Sequence, residues 1–133
     1  MNLFKKLFGR KLLEHNIGKN SKSYESKENS DDNFSNQVNR NLKGKENEQK
    51  GENEVAIKEY EKNIKEGFEG NHPYDRLAII YRKNKDYDNE IRVLNRAIEV
   101  FIELSKNSPR QDINPKLEKF RNRLNKAEEL RKR

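Results

Sequence analysis

From residue 55 onward apolar side chains recur at helical spacing. Ile57, Tyr60, Ile64 and Phe68 form one stripe, and Gly67 and Gly70 mark its end. Asn71 is a candidate N-cap with Pro73 in the first turn, where a missing N–H costs nothing. The next helix places Tyr74, Leu77, Ala78 and Tyr81 on one face, then turns at Asn84-Lys85-Asp86. A third helix, over 87–105, is apolar on two sides: Ile91, Leu94, Ile98, Phe101 and Ile102 on one, Val93, Ala97, Val100 and Leu104 on the other. A helix so widely apolar contacts neighbours on both flanks and is the central element. Ser108-Pro109 breaks it. Asn114-Pro115 opens a fourth helix with Leu117, Phe120, Leu124, Ala127 and Leu130 on one stripe and charge elsewhere, as a terminal capping helix requires.

The pattern upstream is different. In residues 14–53 the large apolar residues are Ile17, Tyr24, Phe34, Val38 and Leu42, too few to offset chain entropy. The expectation is a disordered polar linker, with Phe34, Val38 and Leu42 at i, i+4, i+8 as a transient helix at most. Residues 1–13 are different again. Leu3, Phe4, Leu7 and Phe8 share a helical face, flanked by Lys5, Lys6, Arg10 and Lys11. Such a basic amphipathic helix suits the surface of an anionic membrane. The same face could instead dock on the protein's own core or on a partner, or fray. The domain reading is therefore 1–13 amphipathic helix, 14–53 linker, and 54–133 an all-α domain.

Composition sharpens this division. The chain has 133 residues, 30% hydrophobic and 40% charged, so its whole length does not fill one packed globule. Its net charge of +7 is concentrated at the two ends, residues 1–13 and 116–133, which fits tails and surfaces better than a uniformly basic nucleic-acid module. There is no cysteine, which removes disulfides, thiol catalysis and Cys-bound zinc. No apolar run reaches the roughly 20 residues that span a bilayer, and Lys5 and Lys6 interrupt any signal-peptide core. The default compartment is cytoplasmic, with peripheral association at the inner face of the membrane through residues 1–13.

Residues 57, 60, 62 and 64 align with 91, 94, 96 and 98 at a shift of 34, the period of tetratricopeptide repeats. Residues 55–104 resemble that family. Tyr74, Leu77, Ala78 and Tyr81 match the first helix of its repeat, Asp86-Tyr87-Asp88 the turn, and Leu94 and Ala97 the second helix. Two departures stand out: Glu90 where the family has a small residue, and Asn63 in the place of Ala97. The resemblance implies a short array of about four helices and a concave groove that holds extended peptides. By the same resemblance Asp75, Ile79, Arg82 and Lys83 point toward the groove, with Arg76 near it. Arg82 and Lys83 suit an acidic side chain or a C-terminal carboxylate.

No catalytic constellation, phosphate loop, metal cluster or cofactor motif is legible. His72 lacks a partner nucleophile, and Asp31-Asp32 lies in the polar stretch. The expected function is a non-enzymatic protein-interaction module with a protein or peptide partner, tethered to an anionic membrane. With so few repeats, self-association would cover remaining apolar surface at Val93, Val100 or the flank of 55–68. The alternative is a nucleic-acid- or ribosome-associated protein using Lys116, Lys119, Arg121, Arg123, Lys126, Arg131, Lys132 and Arg133; it lacks stacking aromatics beyond Phe120.

Overall fold

The computed structural model describes residues 19–133, with side chains from residue 31. The proposed amphipathic helix at 1–13 lies outside the described residues. Among those described there are five helices and no strand: α1 Lys19–Gln49, α2 Asn53–Lys65, α3 His72–Lys83, α4 Tyr87–Asn107 and α5 Ile113–Lys132. The chain divides into two compact units between Asn36 and Gln37, inside α1. The N-terminal unit is helical over residues 19–36. The second unit, Gln37–Arg133, holds the core.

The four helices expected between 55 and 131 are all present. α4 is central, burying Ile91, Val93, Leu94, Ala97, Val100, Phe101 and Leu104. Tyr74, Phe101 and Phe120 meet edge to face, with ring centroids 5.2 to 6.3 Å apart, and tie α3, α4 and α5 together. Tyr74 satisfies its hydroxyl by donating to the Phe68 carbonyl at 2.7 Å. Asp86 caps α4 by accepting from the Asn89 amide. Asn71 flanks α3 without a capping bond; its own backbone is helical, and its side-chain nitrogen donates to Asp75.

The expectation for residues 37–49 is corrected. They form the C-terminal part of α1 and pack as a helix against α2. Their inner face is small and polar, so the apolar periodicity that reveals the other helices is missing. Gly44 is buried under the Tyr60 ring; a Cβ there would lie 2.6 Å from Tyr60 Cζ. The glycine lets the two helices approach closely. The Tyr60 hydroxyl then donates to Glu48, one turn further along α1, at 2.6 Å. Asn63, fully buried on α2, donates to the Gln37 carbonyl at 2.7 Å and to Asn41 Oδ1 at 2.8 Å, and accepts from Arg40. Arg40 also pairs with Glu66 at 2.8 Å. Hydrogen bonds therefore do at this interface what leucines do elsewhere.

The second unit begins with two successive helical hairpins of matching geometry. α1 ends at Gly51 with φ +79°, where Gly51 N–H donates to Glu48 and Glu52 N–H to Asn47. α3 ends at Lys85 with φ +59°, where Lys85 N–H donates to Arg82 and Asp86 N–H to Tyr81. Both turns close by the same pair of bonds onto a left-handed residue. The N-caps that follow have nearly identical backbones, φ/ψ −93°/68° at Glu52 and −93°/72° at Asp86. The offset between the hairpins is 34 residues, and it also relates buried Gly44 to buried Ala78. α5 packs on the second hairpin, chiefly against α4.

Candidate functional site

Beside the second hairpin, α3, the first turn of α4 and α5 enclose an open cavity of about 400 Å³ lined by Ala78, Ile79, Arg82, Lys83, Glu90 and Arg123. α3 supplies four of these because Ala78, Ile79, Arg82 and Lys83 fall on adjoining positions of its surface. Ala78 turns into the core, whereas Ile79 remains 40% exposed, an unusual apolar residue at the mouth. Lys83 is exposed at the rim.

Glu90 is the unexpected member. It is 1% exposed and anchors Arg82, with Nε to Oε2 at 2.7 Å. Burial pushes its carboxyl above the usual glutamate range, opposed by the Arg82 charge and hydrogen bond and by the Arg123 charge. Its other oxygen, Oε1, is buried and has no hydrogen-bond partner among the described residues. Arg82 also reaches the Arg123 carbonyl at 3.3 Å, joining α3 to α5. Arg123 in turn donates to Asp75 at 2.6 Å.

The raised value has a direct consequence. Between the ordinary glutamate pKa and its own, Glu90 holds more proton in the folded chain than in the unfolded one. Its contribution to stability is thus fully present at low pH and falls as pH rises through that window. A carboxyl-detected NMR titration should place the Glu90 midpoint above 4.5, its ordinary value. A midpoint at or below that value would show that Arg82 outweighs burial.

The sequence-predicted residues separate into three environments. Ile79, Arg82 and Lys83 share the cavity. Asp75 does not line it, but it orients Arg123 and is itself held by Asn71. Arg76 faces elsewhere: it forms a bidentate pair with Glu48 of α1, the shorter contact being 2.7 Å. Burial raises the Glu48 carboxyl, but donation from Arg76 and Tyr60 outweighs it and holds the group below its usual range. His72 stacks edge-on against Tyr60, centroids 5.5 Å apart, and burial lowers its pKa. Glu48, Tyr60, His72 and Arg76 thus form a polar joint between the two hairpins.

Sequence reasoning assigned no role in the groove to Glu90 or Arg123. A signal existed for Glu90, which stands where the repeat pattern asks for a small residue. Arg123 gave none, being one of many basic residues on α5. Among the described residues no group of acidic or histidine side chains is placed to hold a metal ion, and no helix is long and apolar enough to cross a membrane. No protein-family model, curated protein or solved structure matches the chain.

Proposed function

We propose that this protein is a non-enzymatic interaction module of the tetratricopeptide-like kind, binding a peptide segment of a partner along α3. The observation that carries this reading is the open cavity at which an exposed Ile79 adjoins Arg82, Lys83 and Arg123. An apolar contact beside polar groups of fixed position is what recognition of an extended segment needs. The repeated hairpin supports it, since stacked helix pairs expose their first helices along one surface. Residues 1–13 would hold the module near an anionic membrane by burying Phe4, Leu7 and Phe8 among lipids while Lys5, Lys6, Arg10 and Lys11 attract headgroups. A nucleic-acid role is less well supported, because Lys116, Arg123, Lys126, Arg131 and Arg133 each have an acidic partner within the protein.

Crosslinking the full chain to its neighbours in its own cells tests the reading. Wild type should capture a discrete partner, and Ile79→Asp combined with Lys83→Glu should lose it with the thermal midpoint unchanged. Both side chains are exposed, so a structural effect is not expected. Capture that survives the double substitution would place the partner on another surface.

A further inference from the structure

Glu90 sets a chemical requirement on whatever occupies the cavity. The carboxylate is almost wholly buried, lines the cavity, and uses only Oε2. A buried oxygen without a donor is costly, and a ligand that supplies one removes the cost. Nearby stand three cations. Arg82 is committed to Glu90 and Arg123 to Asp75, while Lys83 is exposed and makes no ion pair or hydrogen bond among the described residues.

Three kinds of ligand group can be weighed against this arrangement. A carboxylate would pair with Lys83 but bring a second negative charge against Glu90 and offer Oε1 no proton. An ammonium or guanidinium would satisfy Oε1 but face Arg82, Lys83 and Arg123. A neutral group with a donor and an acceptor side by side satisfies both. Its N–H goes to Glu90 Oε1, and its oxygen accepts from Lys83. The side-chain carboxamide of glutamine or asparagine is such a group, and its aliphatic stem fits against Ile79. Oε1 is shielded from solvent in the unliganded chain, so the ligand reaches it through a shift of the Arg82 side chain that keeps its bond to Oε2 and gives up its second contact. That side chain is 35% exposed, and its second contact, to the Arg123 carbonyl, is long at 3.3 Å.

We infer that the cavity is a recognition pocket for a carboxamide side chain of a peptide partner, with Glu90 as acceptor and Lys83 as donor. This rests on the peptide-binding reading above and specifies what that site selects. It differs from the acidic ligand that Arg82 and Lys83 suggest when Glu90 is ignored.

The test uses three heptapeptides with acetyl and N-methylamide ends, identical except for a central Gln, Glu or Lys. Each is titrated into the ¹⁵N-labelled full chain. The Gln peptide should bind about tenfold more tightly than the other two, since the Glu peptide leaves Oε1 unmatched and the Lys peptide brings a fourth cation against Arg82, Lys83 and Arg123. The shifts should centre on Ile79, Lys83, Glu90 and Arg123. Glu90→Gln presents an N–H in place of one carboxylate oxygen, so it should reverse the order of the Gln and Glu peptides. If that variant misfolds, the ranking on wild type decides alone. Tightest binding of the Glu peptide by wild type overturns the carboxamide assignment but leaves a peptide groove. Tightest binding of the Lys peptide shows a cation site and overturns it as well. No binding of any peptide at about 10 mM also overturns it; the peptide-binding reading then stands or falls on the crosslinking result.

Discussion

Asn63→Leu should detach residues 37–49 from α2 while leaving α3, α4 and α5 packed. Asn63 is fully buried and serves three groups of α1: the Gln37 carbonyl, Asn41 Oδ1 and the Arg40 guanidinium. Leucine cannot donate or accept, so the Asn41 oxygen and part of Arg40 lose their partner. Leaving a buried polar group unsatisfied costs about 1–3 kcal/mol. Leucine is also bulkier than asparagine, in an interface that a glycine at 44 keeps close. The combined loss is about 2–4 kcal/mol. Hydrogen exchange reads it locally: amides of 37–49 should lose protection, whereas Phe101 and Phe120, in the aromatic cluster, should retain theirs. Unchanged protection in 37–49 would show that Gly44 and Tyr60 hold the interface without Asn63.

This interface also explains why sequence reasoning found four of the helices and missed one. α3, α4 and α5 bury Leu77, Leu94 and Phe120, side chains whose spacing announces a helix. α1 offers α2 a glutamine carbonyl, an asparagine, a glycine and a glutamate. None of these is a large apolar residue, so none reads as a core position or contributes to an apolar stripe. Their role depends on Asn63 and Tyr60 reaching across from the next helix, which no local window contains. The 34-residue shift that aligns Ile57 with Ile91 also aligns Gly44 with Ala78 and Gly51 with Lys85. Extended upstream, the same shift exposes the turn of the first hairpin. The groove shows a similar division. Ile79, Arg82 and Lys83 are neighbours on one helix and were legible together. Glu90 and Arg123 come to the same cavity only when α4 and α5 fold over α3.

Ala97→Glu should unfold the domain at a much lower temperature, by about 12 °C or more for a loss of about 3 kcal/mol. Ala97 is fully buried within the apolar core of α4. A glutamate there adds volume to a filled space and introduces a carboxylate among apolar core side chains. The same helix shows what tolerance would require. Glu90, seven residues earlier, is buried too, but Arg82 pairs with it and the Arg123 charge acts on it. The first hairpin shows the complementary solution. Asn63 lies 34 residues before Ala97 and is polar because α1 supplies its partners, while Ala56, equally far before Glu90, is small and fully buried. Each hairpin thus has one small and one polar residue at these two positions, in opposite order. Ala97→Ser is the control: it adds one hydroxyl, which can bond back within the helix, and should lower the midpoint far less. Circular dichroism of the three proteins decides between the readings. An Ala97→Glu variant melting with wild type would mean that a cation moves in to meet the new charge, and that this position is as adaptable as residue 90.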